Sequence, residues 1–338
     1  MPPNAHRRAT IADVARAAGV SRGTVSRYLN GGHWVSPEAQ QAVRKAIKDT
    51  GYVASATARQ LRTGRSRTVA FLVDEEPAIF FADPNFEVLV AAVSDELAAR
   101  NLSMVVLLAG SEEHADRAVD FLRSGAVAGV VTASAHARYH TLEKIVDAGV
   151  PVVNCGFPRT RADRISYVMA DEVMGGTLLG EHLVASGATR IGVVAGPEDS
   201  PGGTLRLDAF REAVGECLPP YNIRFGDYTR ASGRSLTADL LDDDPAIDCI
   251  FAASDVMAAG ALEELRGRGR AVPDEVLLAG FDDSVAARQT SPKLTTVRQP
   301  FDVISRQLVD VLMREVDDGV RAAITVPVEL VVRESTSR

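Results

Sequence analysis

The sequence predicts an α/β body preceded by an N-terminal three-helix unit, and three observations predict it. From Thr68 onward short apolar runs alternate with helical stretches, as parallel strands covered by helices require. The first sixty residues show helical spacing broken by a turn glycine instead. Charge divides along the same line: residues 1–67 hold 12 Lys plus Arg against 3 Asp plus Glu, and the rest holds 25 against 42. A basic segment on an acidic body directs nucleic acid to the N-terminal part alone.

With 338 residues, 46% hydrophobic and 24% charged, two or three domains with buried cores are expected. There is no run of eighteen apolar residues, and MPPNAHRRATIADVARAAG lacks the apolar core and cleavage site of a secretory leader. A cytoplasmic protein with no membrane contact is expected. Cys155, Cys217 and Cys249 are odd in number and far apart, two of them inside apolar runs, which suits small buried hydrophobes better than a disulfide framework. No cofactor, metal or catalytic residue is expected. The chain has no P-loop, no Gly-x-Gly-x-x-Gly after the first strand, no Gly-x-Ser-x-Gly elbow and no zinc-spaced His pair. Its six histidines form no catalytic grouping, although His136 and His140 would stand one turn apart on a helix.

The elements follow in order. Thr10 is a plausible N-cap with Asp13 three residues on, and Ile11, Val14, Ala15 and Ala18 make one apolar face. Gly19, Val20 and Ser21 form a tight turn, and Ser21 can cap a second helix whose Val25 and Leu29 point inward. Two helices joined by three residues are the helix-turn-helix pattern. Arg22, Gly23, Ser26 and Arg27 then lie on the other faces, and Arg is the usual bidentate reader of guanine. Ser36 as cap and Pro37 at the first position start a third helix, with Val43, Ala46 and Ile47 inward and Gly51 ending it.

TIADVARAAGVSRGTVSRYLNGG and VSPEAQQAVRKAIKDTGYVASATARQLRTGRS resemble, almost throughout, the headpiece of the lactose-repressor (LacI/GalR) family of transcriptional regulators. The resemblance implies that Arg22, Gly23 and Arg27 read bases, and that Ile11, Thr24, Ser26, Asn30 and Ser36 touch the DNA backbone. It implies further that residues 55–62 fold as a hinge helix in the minor groove. There Leu61, beside Ala58 and Arg62, wedges between base pairs and kinks the duplex. Two departures stand out. Gly23 lies inside the recognition helix, and Ala54-Ser55 replaces the Pro-Asn frequent before the hinge helix. The expected division is a headpiece over 1–53, hinge and linker over 54–67, and an effector-binding and dimerisation domain over 68–338.

In the body, TVAFLVD, SMVVLLA, AGVVTA, PVVNCG, ISYVMAD, RIGVVAG, DCIFAAS and VLLAGFDD read as strands. Eight such units exceed one comfortable sheet. A split near residues 165–170, with later returns at LTTVRQP and ITVPVEL, resembles the family's two-lobed periplasmic-binding-protein-like body of two parallel sheets flanked by helices. The expected lobes are about 68–168 with 299–325, and about 169–298 with 326–338. Ligands in such sheets bind beyond the carboxyl ends of strands. Asp83, Asp171, Arg206, Ser254 and Asp282 fall at such ends as hydroxyl-binding candidates, Asp255 as a helix cap, and Phe86, Tyr228 and Phe281 as apolar walls for a sugar ring. By resemblance Arg206 is the family's ligand arginine, Tyr228 its stacking aromatic and Asp282 its ligand carboxylate. Here too the chain departs from the pattern. Gly156-Phe157 stands where Asp-Arg is frequent, Glu172 replaces an Asn, and Ser254 replaces an Asn.

The expectation is a homodimeric repressor on a pseudo-palindromic operator, released when a small polar effector shifts the lobes. The chain has no leucine-heptad tail after REST, so a plain dimer is expected. The stretch FFADPNFEVLVAAVSDELAARNLSMVVLLAG resembles actinobacterial-type sugar regulators, which points to an oligosaccharide such as cellobiose or maltose. The rival readings are a purine-type corepressor, an enzyme fused to a DNA-binding headpiece, and a transport binding protein, the last disfavoured by the missing leader.

Overall fold

The computed structural model describes residues 9–29, 34–52, 66–133 and 140–337. It divides into two compact units, Met1–Arg65 and Ser66–Arg338.

The first unit is built from α1 (Ile11–Ala18), α2 (Arg22–Leu29) and α3 (Pro37–Thr50). A reciprocal capping box starts α1: Asp13 N donates to Thr10 Oγ1, and Thr10 N donates to Asp13 Oδ2 at 2.9 Å. Gly19, left-handed at φ 66°, ends it. Thr24 N donates to Ser21 Oγ at 3.0 Å, so Ser21 holds the start of α2. Ser36 caps α3 in the same way, with Pro37 following. Val14, Ala15, Val25, Val43 and Ala46 form the core, with Leu29 and Ile47 partly buried against it. At roughly 1.5–3 kcal/mol for each large aliphatic buried, such a core holds three short helices with little margin. Trp34, the one tryptophan of the chain, precedes α3 and is 86% exposed.

The second unit holds two parallel sheets. The first has six strands in the order β11-β5-β4-β3-β1-β2: β1 Thr68–Val73, β2 Ser103–Leu108, β3 Gly129–Ala133, β4 Val152–Cys155, β5 Ser166–Ala170 and β11 Ala323–Val326. The second has four in the order β7-β6-β8-β9: β6 Ile191–Ala195, β7 Ile223–Phe225, β8 Cys249–Ala252 and β9 Leu277–Ala279. An antiparallel pair, β10 (Thr296–Arg298) with β12 (Glu329–Val331), joins the edge of β9 through bridges at Ala279–Thr295 and Asp282–Arg298. Central strands are buried along their whole length, because helices cover both faces; β1 reads buried from Val69 to Val73.

Helices of the first lobe are α4 (Pro77–Ala82), α5 (Pro84–Ala99), α6 (Glu112–Arg123), α7 (Thr141–Asp147) and α13 (Phe301–Asp318). Those of the second are α8 (Glu172–Ala185), α9 (Pro201–Val214), α10 (Arg230–Asp243), α11 (Asp255–Gly267) and the short α12 (Val285–Gln289). The chain crosses between lobes three times: from β5 into α8, from β10 through Gln299 and Pro300 into α13, and from β11 through Pro327 into β12. Strand β5 belongs wholly to the first sheet, so the first crossing falls at Ala170 and Asp171. After the third, the chain end is pinned below β9: Ser335 Oγ donates to Leu278 O at 2.5 Å and accepts from Thr295 N at 2.8 Å.

Candidate functional site

The carboxyl ends of the strands from both lobes converge on one cleft, with about 190 Å³ of free volume. The first lobe contributes Glu75, Asp83, Asn85, Phe86 and Cys155; the second contributes Glu172, Arg206, Asp227, Tyr228, Ser254 and Asp282; Gln299 and Phe301 come from a crossing segment.

Arg206, on α9, is the best-defined group. It is 5% exposed. Its Nε and Nη2 contact Glu172 Oε2 at 2.8 and 2.7 Å, and Nη1 donates to the Ala253 carbonyl. The guanidinium lies 3.4 Å over the centroid of Phe281. Five N–H groups are available and these contacts use three, so the remaining donors are held in one plane. Burial pulls the Arg206 pKa down, but Glu172, Tyr228 and Asp282 more than offset that and hold it above its ordinary value. Burial lifts the Glu172 carboxyl, and Arg206 opposes the lift. The ion pair is the form the geometry supports.

Asp282 faces this pair. It accepts from Asn85 Nδ2 at 2.8 Å and Gln299 Nε2 at 2.7 Å, so its carboxylate ties the first lobe and a crossing segment to the second lobe. Burial drives its pKa well above the carboxylate range, against the pull of Arg206, with Asp255 and Asp83 adding to the rise. Asp83 is also raised by burial, and Asn85 N bonding to it works the other way. The Tyr228 ring stands beside them, its Oη 3.3 Å from Ser200 Oγ. A Cβ on Gly203 would sit 2.8 Å from that Oη, so only glycine lets the first turn of α9 approach the phenol so closely. Phe86 packs on Phe80, with ring centroids 5.3 Å apart, at the first-lobe wall. Burial pushes the Cys155 thiol up to about 12, so it lines the wall as a neutral, unreactive group.

The cleft thus brings together Asp83, Phe86, Arg206, Tyr228, Ser254 and Asp282 of the residues read from sequence. Three readings need correction. Asp171 is the N-cap of α8, accepting from Met174 N at 2.9 Å, and its neighbour Glu172 supplies the cleft carboxylate. Phe281 is fully buried beneath Arg206 and offers no wall to a ligand; it fixes the guanidinium. Asp255 does not cap α11. Ser254 does, accepting from Met257 N at 3.2 Å, while the buried Asp255 accepts from Ser284 N and Thr296 Oγ1. Asn85 and Gln299 were missed as site residues, and Glu172 was noted only as a departure from the family pattern. Glu172 carried a signal, a carboxylate directly after a capping Asp; Asn85 and Gln299 carried none, because their role arises only when Asp282 arrives from the other lobe.

A wider groove of about 650 Å³ opens beside the cleft, over the α11 and α12 residues Val256, Ala259, Leu262, Val285 and Ala286. These apolar residues are accompanied by Arg230, Glu263, Arg266 and Gln289, and Asp83 and Tyr228 line both the groove and the cleft. Among the described residues no group of three or more His, Cys, Asp or Glu could hold a metal ion, and no helix is long and apolar enough to cross a membrane.

In the other unit, α2 turns Val25 into the core and leaves Arg22, Gly23 and Arg27 exposed, with Thr24 and Ser26 half-buried. Thr24 Oγ1 lies 2.9 Å from Ser21 Oγ. Ile11 packs partly on the core at the start of α1, and Ser36 is exposed at the start of α3. Asn30, Ala58, Leu61 and Arg62 lie outside the described residues.

Residues 10–55 match the bacterial regulatory proteins of the lacI family, and residues 181–336 match a periplasmic binding protein-like domain. The chain is 38% identical over 337 residues to the HTH-type transcriptional regulator CelR of Thermobifida fusca, covering 97% of this chain and 98% of that one. Among solved structures it resembles a transcriptional regulator CelR–cellobiose complex at TM-score 0.77 and 35% identity, covering 97% of this chain and all of the other. It also resembles the lac repressor dimer bound to operator and the anti-inducer ONPF, at TM-score 0.85 and 26% identity, covering 98% and 99%. Likeness that runs from the headpiece through both lobes makes this chain a transcriptional regulator of the lacI family.

Proposed function

We propose that the chain is a dimeric repressor that binds a pseudo-palindromic operator through α2 and leaves it when a sugar or oligosaccharide enters the cleft. The single observation that carries the effector half is the rigidly held Arg206 plane, facing the Asp282 and Asp83 carboxyls between two aromatic side chains, Tyr228 and Phe86. Vicinal hydroxyls both donate and accept, so a ring carrying them satisfies both sets at once. The relative solved with cellobiose supports this class over a purine corepressor.

In this reading Arg22, Gly23 and Arg27 read base edges. Ile11, Thr24, Ser26, Asn30 and Ser36 set position on the backbone, and Leu61, with Ala58 and Arg62, wedges the minor groove. Effector acts through unequal affinity for two lobe arrangements. The protein works in the cytoplasm as a sensor without turnover, and needs no cofactor.

The test is a panel of neutral sugars and purines, scored by thermal shift of the protein and by release from or recruitment to a fluorescent duplex library. Arg27→Ala is expected to weaken operator binding by about 1–3 kcal/mol and to leave effector affinity unchanged. Loss of both would make Arg27 structural. Chemical conversion of any bound sugar would replace the sensor with an enzyme.

A further inference from the structure

Two electropositive features of the cleft are answered by one carboxylate. Arg206 is the sole cation among the described residues that line the cleft, and Glu172 holds it through two nitrogens. The second is the N-terminus of α9, a fourteen-residue helix whose first amides form a natural anion seat. Glu172 lies against it as well: a Cβ on Gly202 would stand 3.2 Å from Glu172 Oε1, so glycine at that first turn makes room for the carboxylate. Ser200 Oγ takes the Gly203 amide. Around this neutralised pair stand four further acids, Glu75, Asp83, Asp227 and Asp282.

From this arrangement we infer that Glu172 is a charge filter: it restricts the effector to uncharged polyhydroxyl compounds and excludes phosphorylated or carboxylated sugars by occupying two of the places an anion would take. The inference rests on the effector reading given above and narrows it. A phosphate entering the cleft meets a guanidinium whose charge is spent and a helix end already faced by a carboxylate. A neutral hydroxyl needs only the unused N–H groups of Arg206 and the lone pairs of Asp282.

The test compares the wild-type dimer with Glu172→Gln and Glu172→Asp. The probes are cellobiose, maltose and glucose, their phosphate esters, and inorganic phosphate, read by calorimetry and thermal shift. For the wild type, a phosphate ester is expected to bind at least about tenfold more weakly than its parent sugar, and inorganic phosphate to give no shift. Glu172→Gln frees both anion seats, so inorganic phosphate should stabilise this variant at millimolar concentration and the penalty on the ester should shrink or reverse. Glu172→Asp keeps the charge and should keep the wild-type preference.

Equal or tighter binding of the esters to wild type overturns the filter, and so does a folded Glu172→Gln that gains nothing from phosphate. Should Glu172→Gln fail to fold, the wild-type and Glu172→Asp preferences decide alone, a tenfold bias to neutral sugar supporting the filter and equality defeating it. If no sugar binds the wild type yet phosphate stabilises Glu172→Gln, the filter stands and the sugar reading falls.

Discussion

Asp282 and Asp283 share a peptide bond but serve two regions, the first the cleft and the second the strands that hinge the lobes. Both have positive φ, 112° and 54°, a backbone turn that L-residues adopt only under constraint from their surroundings, and it sends the two carboxyls apart. Asp283 meets a surplus of cations: Arg298 Nε at 2.8 Å, Arg288 Nη1 at 3.6 Å, and the Arg333 guanidinium. Its carboxyl is held below the ordinary range, burial pushing up and the two bonding arginines, Arg333 and Arg298, prevailing. Asp282 has two amide donors and a guanidinium already paired with Glu172; burial outweighs them, and other carboxyls acting on it add to the rise. A buried carboxyl set among several arginines is held ionised; one met by amide donors and neighbouring acids is pushed toward its neutral form.

The largest expected effect tests the hinge side. Asp283→Ala leaves three arginines, one of them largely buried, without their shared anion, and should destabilise the body by about 3–5 kcal/mol. Calorimetry should register this as a fall in Tm of roughly 5–15 °C. A loss below about 1 kcal/mol would erase the contrast. On the cleft side, Arg206→Ala removes the fixed donors and strands Glu172, so effector affinity by titration calorimetry should drop by at least about 100-fold, near 2.7 kcal/mol. Effector-free operator binding should persist; a normal response to effector would remove Arg206 from the cleft machinery.

Asp282→Asn should cost less. About tenfold of effector affinity, near 1.4 kcal/mol, is expected to go, while stability stays within about 1 kcal/mol of wild type, because a neutral amide suits this burial. The smallest effect lies in pH. For Asp282 the folded state keeps its proton at a pH where the unfolded chain has lost it, so the stability it contributes is full below the ordinary carboxylate value of 3.8 and declines as pH rises from there toward its raised folded value. Asp255, raised to about 7, by burial first, behaves alike, and together they make stability decline between about pH 4 and 7. Asp283 has the opposite sign: its contribution is present above 3.8 and is lost as pH falls through its lowered folded value. Urea titrations across this range should show Asp282→Asn flattening the decline toward neutrality and Asp283→Asn flattening the loss in acid. An unchanged slope in the first variant would mean that Asp282 does not titrate in this window.

Much of this was legible in the sequence because it rests on local chemistry. Caps such as Thr10, Ser21 and Ser36 act within three residues, and buried parallel strands announce themselves as continuous apolar runs. Strand β7 was missed: Ile223–Phe225 is three residues long and half-exposed at a sheet edge, too short for any period. In the cleft, Arg206, Tyr228 and Asp282 could be picked out because family motifs surround them. Which of Asp171 and Glu172 faces the cleft depends on where α8 begins, and helix boundaries are the least readable feature of a sequence. Phe281 read as a wall because a strand-end aromatic looks the same whether a ligand or a guanidinium lies above it. The partnership of Asn85 with Asp282 joins positions 197 apart, and no local pattern carries that.

Trp34 leaves a practical gift. Because indole emission in this chain arises from one ring near the start of α3, and that ring faces solvent, ultraviolet excitation at the red edge watches the headpiece and nothing else. Sugar entering the cleft of the second unit should leave the spectrum silent, while duplex arriving at the headpiece should quench or blue-shift it, giving an unlabelled optical handle that separates the two binding events.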